Sequence, residues 1–330
     1  MKIIRFTQPG PPEVLKYVDA PVPEPQTGEV LVRAHCIGVG IPDVRIRAGI
    51  YDWMPPLPAT PGTEMSGTVE KVGPGVDSRW PGQHVYVSAR ERPHRGGCYA
   101  EYIATPADGT FVLPDTIDFD AAASLANYQV AYHLLRDGAR VQRNQTVLIY
   151  GAAGGMGNAL IDLAKESGLE VIGVVSDDTR ARFARELGAD HVVNRRMEKI
   201  AERVKAITDG RGVDLIVDPV GGLSVADNLA MLATLGMLVI YGMLGGRPSP
   251  DMAAELLKHN AKCPAVRRFS IHHLDRLPNE RRSGMQALID KLAAGVIRPR
   301  IGARLKLAEA VEAHRLQEAG QIVGKLLLIP

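Results

Sequence analysis

The sequence predicts an α/β protein of two domains, one β-rich and one a doubly wound parallel sheet. Three observations predict it. At 330 residues the chain is longer than one compact core usually organises. Its first 120 residues are punctuated by Pro and Gly around short strand-like runs. From Thr146 onward, strand and helix patterns alternate with a regular beat.

In the first part the strand-like runs are 29–37, 67–72, 84–88 and 99–104. Pro9-Gly10-Pro11, Pro61-Gly62, Pro74-Gly75 and Pro81-Gly82 supply the turns between them. That spacing suggests an irregular β-barrel-like domain. Residues 121–125 and 128–135 read as helical. Then strands at 146–150, 170–175, 191–194, 213–218 and 237–241 alternate with helices at 158–167, 179–187, 197–208 and 224–233. Gly168 and Gly188 follow two of these helices, where a left-handed cap is wanted. After about Lys262 the beat stops. Helices at 283–294 and 308–320 and a strand at 324–329 are expected to return to the first domain. The expected division is therefore 1–120 completed by 263–330, with 121–262 between.

Composition narrows the function. Lys and Arg number 39 against 37 Asp and Glu, a formal charge of +2, which gives no field for nucleic acid or a membrane surface. The three cysteines, Cys36, Cys98 and Cys263, form no CxxC pair, so neither a disulfide framework nor a Cys-based zinc site is expected. No run approaches the ~20 apolar residues of a membrane helix, and the start lacks a signal-peptide core. The expectation is a soluble cytoplasmic protein.

The strongest chemical signal is the apolar strand ending at Tyr150, followed by Gly151-Ala152-Ala153-Gly154-Gly155-Met156-Gly157 and a helix. A small residue at Ala152 permits a tight turn. Gly154 lets backbone approach a pyrophosphate, Gly155 and Met156 open the helix, and Gly157 lets helix and strand pack closely. Exposed amides and the helix dipole then favour an anion. The same seven residues also serve as a plain tight turn, so the strand before and the helix after carry the inference.

An acid that grips the ribose of NAD normally ends the second strand. Here that strand ends at Val175 and the acids Asp177 and Asp178 come late. Ser176, Arg180 and Arg195 supply a hydroxyl and two cations for a 2′-phosphate, which favours NADPH. Two other readings stand beside it: the acids cap the next helix, or Asp177 holds the ribose and favours NAD.

Several stretches together resemble the medium-chain dehydrogenase/reductase superfamily, in its zeta-crystallin-like quinone oxidoreductase branch. Pro61-Gly62-Thr63-Glu64-Met65-Ser66-Gly67 resembles its PGTEGAG, Arg47-Ala48-Gly49-Ile50-Tyr51 its RSGLY, and 152–157 its AASGGVG; 131–135 and the ending 324–330 match in kind. The resemblance spans essentially the whole chain. It implies a GroES-like catalytic domain and a Rossmann cofactor domain with the site in the cleft between them. It also implies reduction of quinones or α,β-unsaturated carbonyls by NADPH.

Zinc-holding relatives place a Cys and a His where this chain has Gly40 and Thr63, and the structural-zinc lobe is reduced to Cys98 with His94 nearby. Tetrahedral zinc cannot be assembled from that set. Alcohol oxidation needs a Lewis acid to shed the hydroxyl proton, whereas a quinone or enone spreads the incoming charge through its own conjugation. By resemblance, residues 40–51 line the pocket. Tyr51 is the first candidate to hold the acceptor, unless it merely packs in its loop. Arg45 replaces a frequent Tyr, Gly40 a frequent Asn and Val130 a frequent Thr, with Tyr128 as a compensating hydroxyl. Asp43 reads as a helix cap, and no general acid is assigned.

On the cofactor side, Val220 after one strand and Tyr241 and Met243 after another stand at carboxyl ends, where a dinucleotide crosses a parallel sheet. Lys325 is expected to add charge near the 2′-phosphate. A homodimer through 238–241 and 244–270 is expected by analogy. The rival readings are an enoyl or alkenal reductase and a crystallin-like protein that binds NADPH without turnover.

Overall fold

The computed structural model describes residues 1–247 and 251–330. Residues 1–127 carry β1 (Lys2–Arg5), β2 (Lys16–Asp19), β3 (Glu29–Val39), α1 (Ile41–Ala48), β4 (Glu64–Val72), β5 (His84–Ser88), β6 (Tyr102–Pro106), β7 (Thr110–Val112), α2 (Phe119–Ala122) and the start of α3 (Leu125–His133). There follow β8 (Thr146–Tyr150), α4 (Gly155–Glu166), β9 (Glu170–Val175), α5 (Asp178–Glu186), β10 (His191–Asn194), α6 (Ile200–Ile207), β11 (Val213–Asp218), α7 (Ser224–Met231), β12 (Leu232–Ile240), α8 (Met252–Lys258) and β13 (Ala265–Arg268). The chain ends with α9 (Pro278–Ala293), β14 (Ile301–Lys306), α10 (Ala310–Glu318) and β15 (Lys325–Ile329).

These elements fall into two compact units, Met1–Asn127 with Pro278–Pro330, and Tyr128–Leu277. The first is built on a mixed sheet of order β14-β15-β3-β4-β5-β7, with β6 also paired to β3. Only β14 and β15 run parallel; the other pairs are antiparallel. Alternation along the strands sends Val30, Val32, Met65, Val69, Val85 and Val87 into one core, which Phe6, Tyr99, Leu326 and Leu328 complete. Burial of these side chains, each worth about 1.5–3 kcal/mol, drives this unit's collapse.

The second unit is a six-stranded sheet, β10-β9-β8-β11-β12-β13, parallel throughout. Its central strands are buried on both faces, as crossover helices demand, so Leu148, Ile172, Val174, Ile216 and Leu238 share one core with Val204, Val225 and Leu229 from the helices. Gly168 and Gly188 take positive φ, +74° and +103°, just past α4 and α5, as helix-ending glycines do.

β2, β7 and α8 are absent from the sequence reading, and three further differences bear on the architecture. β13 extends the parallel sheet beyond β12, so the second unit runs to Leu277 instead of stopping at 262. α1 replaces an unassigned pocket segment; Pro42 sits in its first turn, where a missing amide costs nothing. β14 is a half-buried alternating edge strand that pairs with β15.

Candidate functional site

The parallel sheet changes direction between β8 and β11. Crossovers from β8 lead through β9 to β10 on one side, and those from β11 through β12 to β13 on the other. Loops leaving the carboxyl ends of two such strands part in opposite directions and leave a crevice. The loop after β8 holds the glycine turn and the loop after β11 holds 219–223.

Gly151 takes φ +66°, and the turn closes when the Gly154 amide donates to the Gly151 carbonyl at 3.0 Å. Ala152 is fully buried and donates to Val174 O at 3.2 Å, tying the turn to β9. The two later glycines are held for different reasons. A Cβ on Gly157 would stand 2.5 Å from the carbonyl carbon and oxygen of Ala152, so the fold itself excludes a side chain there. A Cβ on Gly154 would meet nothing nearer than Gly151 O at 3.5 Å. Its φ of −86° and ψ of 173° suit any residue. Packing therefore leaves Gly154 unexplained, and a glycine there leaves the backbone open to close approach. Gly154 caps the twelve-residue α4, whose first-turn amides on Gly155, Met156 and Gly157 have no intrahelical acceptor. Free amides of this kind at a helix start are donors suited to an anion.

At the end of β9 the register does further work. Asn194 pairs with Val175, and the Arg195 amide donates to Val175 O at 2.9 Å, so Arg195 follows the ladder beside Ser176. Arg195 is exposed. Asp177 caps α5 by accepting the Arg180 amide at 2.9 Å. It also accepts the Ser176 hydroxyl at 2.9 Å and pairs with the Arg180 guanidinium. The Arg180 amide, with guanidinium and hydroxyl behind it, holds the Asp177 carboxyl down at about 2. Capping and a cation-rich surround thus coexist at one spot.

After β11 the buried carboxylate of Asp218 organises the loop. It accepts the Val220 amide at 2.6 Å, the Gly221 amide at 3.2 Å and the Asn228 side-chain amide at 3.0 Å. Tyr150, the last residue of β8, donates its hydroxyl to the other end of the Asn228 amide at 2.6 Å. The loops after β11 and β12 are joined by Tyr241 N to Asp218 O at 2.9 Å and Gly245 N to Val220 O at 2.7 Å. Half-buried Val220 and Tyr241 and exposed Met243 lie along this seam. Sequence alone singles out 218–222 as a strand's carboxyl end but gives Asp218 no role of its own, and it does not find Asn228; an acid ending an apolar strand ahead of Pro-Val-Gly-Gly is the available signal.

In the other unit, Gly40 is the N-cap of α1, and its amide donates to Asp43 at 2.8 Å. Asp43 is wholly buried, and desolvation pushes its carboxyl up to about 7. Arg45, on α1, is half-buried; Tyr51 is half-buried against the core and lies 5.8 Å from Trp53, ring to ring.

Two sequence candidates require correction. Lys325 is 4% exposed and its ammonium lies 2.5 Å from the equally buried Glu64 carboxylate, so it is an internal counter-ion and not a surface cation for a phosphate. Tyr128 is 1% exposed and donates its hydroxyl to Asp162 at 2.6 Å, which ties α3 to α4 instead of offering the hydroxyl to an acceptor. Val130 is half-buried on the same helix.

Among the described residues no three of His, Cys, Asp and Glu converge as a metal cage. His94 is exposed, while Cys98 is buried and its thiol is pushed up to about 12 by desolvation. None of the three cysteines forms a disulfide, and no described helix is long and apolar enough to cross a membrane.

Residues 26–115 match the alcohol dehydrogenase GroES-like domain and residues 155–277 the zinc-binding dehydrogenase domain. The chain is 34% identical to a quinone oxidoreductase of Salmonella typhimurium, over 99% of each chain. It is 31% identical to a 2-haloacrylate reductase of Burkholderia, over 97% of this chain and 96% of that one. The solved structure of an Escherichia coli quinone oxidoreductase complexed with NADPH superposes over 100% of both chains, with a TM-score of 0.88 at 32% identity. With its GroES-like and Rossmann halves, the chain belongs to the quinone oxidoreductase family of the medium-chain dehydrogenases/reductases.

Proposed function

We propose that the protein is a zinc-independent oxidoreductase that uses NADPH to reduce a quinone. The observation that carries this reading is Gly154, a glycine that the fold does not require, at the mouth of a helix at the sheet's switch point. Ser176, Arg180 and Arg195 support the phosphorylated cofactor over its unphosphorylated form. The names of the Salmonella and Escherichia coli relatives support the acceptor class.

In this reading the amides of Gly155, Met156 and Gly157 hold the diphosphate, and their dipoles need no reorganisation. Arg195 and Arg180 neutralise the 2′-phosphate while Ser176 donates to it; Arg180 then divides its guanidinium between phosphate and Asp177. The seam of Val220, Tyr241 and Met243 orients the nicotinamide. A reduced nicotinamide held there would supply a hydride, for which a conjugated acceptor needs no Lewis acid. The chain contributes position: Tyr51 holds the acceptor ring and Arg45 its oxygen. Solvent supplies the proton.

A second reading, an enoyl or alkenal reductase, is favoured by the likeness to 2-haloacrylate reductase, whose substrate by name is an activated alkene. We also propose a homodimer through the edge strand β13; the 238–241 stretch expected at that interface does not form it, because β12 is paired on both sides and Leu238, Val239 and Ile240 are buried, and of the 244–270 stretch 248–250 lie outside the described residues. Unpaired cysteines agree with a cytoplasmic setting.

The test is oxidation of NADPH and NADH, on protein assayed for zinc, with 1,4-benzoquinone, 9,10-phenanthrenequinone, a simple enone and a 2-haloacrylate. The expected result is NADPH ahead of NADH with quinones fastest. Faster turnover of the alkenes selects the second reading. NADPH binding without turnover of any acceptor leaves a non-enzymatic binder. A wide NADH advantage overturns the roles of Ser176, Arg180 and Arg195, and stoichiometric zinc overturns the metal-free chemistry. Light scattering on the eluting protein tests the dimer, and a clean monomer rejects it.

A further inference from the structure

The loop after β11 is held by a polar chain that packing alone does not ask for. Asp218 and Asn228 are both fully buried. Desolvation raises the Asp218 carboxyl, opposed by the amides of Val220 and Gly221 and by Asn228. A buried carboxylate is tolerated only when such donors surround it. The Asn228 amide has one orientation that satisfies both neighbours: its NH2 faces Asp218 at 3.0 Å and its oxygen faces the Tyr150 hydroxyl at 2.6 Å. The chain is therefore directional, phenol to amide to carboxylate to loop backbone.

Its two ends are what matter. Tyr150 is the residue immediately before Gly151, where the phosphate turn begins. Val220 and Gly221 are the backbone on the opposite lip of the crevice. Gly221 and Gly222 both take positive φ, +62° and +64°, a conformation that glycine adopts without steric cost. Asp218 holds it from one side, beside the Gly245 amide that reaches Val220 O and the Ser224 hydroxyl that reaches Gly221 O.

We infer that Tyr150, Asn228 and Asp218 are positioning residues: they fix the height of the 220–222 loop against the phosphate turn, so that the nicotinamide end of the cofactor is seated only when the diphosphate end is. This rests on the cofactor reading above and adds to it a set of residues that touch no part of the cofactor. The relay is expected to act on the nicotinamide half, because its side-chain bonds run from Tyr150 through Asn228 and Asp218 to the Val220 and Gly221 amides, whereas the Ser176 side chain at the end of β9 bonds Asp177.

Calorimetric titration with two probes, 2′,5′-ADP and NADPH, separates the halves. In Tyr150→Phe, where the ring stays and only the hydroxyl is lost, 2′,5′-ADP is expected to bind within about twofold of wild type, while NADPH binds about tenfold more weakly. The emission anisotropy of bound NADPH is expected to fall as the ring is released. Asn228→Ser is expected to do the same, and the double variant to lose no more than the larger single, as members of one chain should. Should Asn228→Ser fail to fold, Tyr150→Phe still decides. Equal weakening of both probes makes the effect a general loosening and overturns the relay, as does unchanged affinity for both. Wild-type protein that binds neither probe overturns the cofactor reading and the relay with it.

Discussion

The contrast between Gly154 and Gly157 makes a prediction that separates folding from binding with one methyl group at each position. In Gly157→Ala the new carbon falls 2.5 Å from the Ala152 carbonyl, and the atoms in its way are backbone. Relief requires moving α4 away from β8, an overpacking strain of about 1–3 kcal/mol. At roughly 2–4 °C per kcal/mol for a unit of this size, Tm should fall by about 2–12 °C. In Gly154→Ala the methyl has room, since its nearest neighbour is 3.5 Å away, and the backbone angles are ordinary. Stability should hold or rise by about 0.4–1 kcal/mol as the unfolded chain loses freedom. The methyl, however, stands where a diphosphate would meet the helix amides. Losing one charge-assisted bond of about 1.5–3 kcal/mol weakens NADPH by roughly 10- to 150-fold. Scanning calorimetry without ligand and titration calorimetry with NADPH read the two effects separately. Native NADPH affinity in Gly154→Ala, or native Tm in Gly157→Ala, would refute the reasoning.

Asp177→Asn keeps an oxygen that caps α5 but removes the charge that competes with a 2′-phosphate for Arg180 and Ser176; the ratio of kcat/KM for NADPH over NADH should rise by about tenfold, and a fall would assign Asp177 to the ribose instead. Lys325→Met strands the buried Glu64 carboxylate without its cation, so urea unfolding should show a loss of about 3–5 kcal/mol; a silent substitution would mean the pair is not buried as described. His314 is buried beside Tyr99, and desolvation takes its imidazole down to about 3. The unfolded chain therefore binds a proton that the fold does not. Stability is full above about 6.5 and is lost by up to roughly 1.4 kcal/mol per pH unit as pH falls toward 3. Urea titrations at pH 7, 6 and 5 check the slope, which His314→Gln should flatten.

What the sequence disclosed follows from period and punctuation. β8 to β12 are largely apolar strands between amphipathic helices, and their beat is visible because burial of the inner strands on both faces demands it. The glycine turn was visible for the same reason: its neighbours in sequence are its neighbours in space. β13 was not, since Ala265–Arg268 is a short stretch of three half-buried residues and one exposed arginine, with Val266 its one β-branched side chain. α1 hid behind Pro42 and three charged residues in eight.

The two corrected residues share one cause. Sequence alone reads Lys325 and Tyr128 by what a cation and a phenol can do, yet each one's partner is a residue far off in the chain, Glu64 in one case and Asp162 in the other. Glu64 shows how such a pairing bears on function. It sits beside Thr63, where zinc-holding relatives carry a ligand, and it accepts the Ala126 amide at 2.8 Å as well as the Lys325 ammonium. A carboxylate at this depth must be neutralised by a neighbouring charge. Lys325 supplies that charge from the last strand, so the spot where a metal-using relative places its cation is here electrically closed by the protein's own backbone amide and lysine. A single Thr63→His change should therefore fail to recruit zinc, because the incoming metal would meet a resident cation and lack the second ligand that Gly40 cannot give. Zinc titration of Thr63→His against the double variant Thr63→His/Gly40→Cys would test this, with stoichiometric binding by the single variant as the result that breaks the argument.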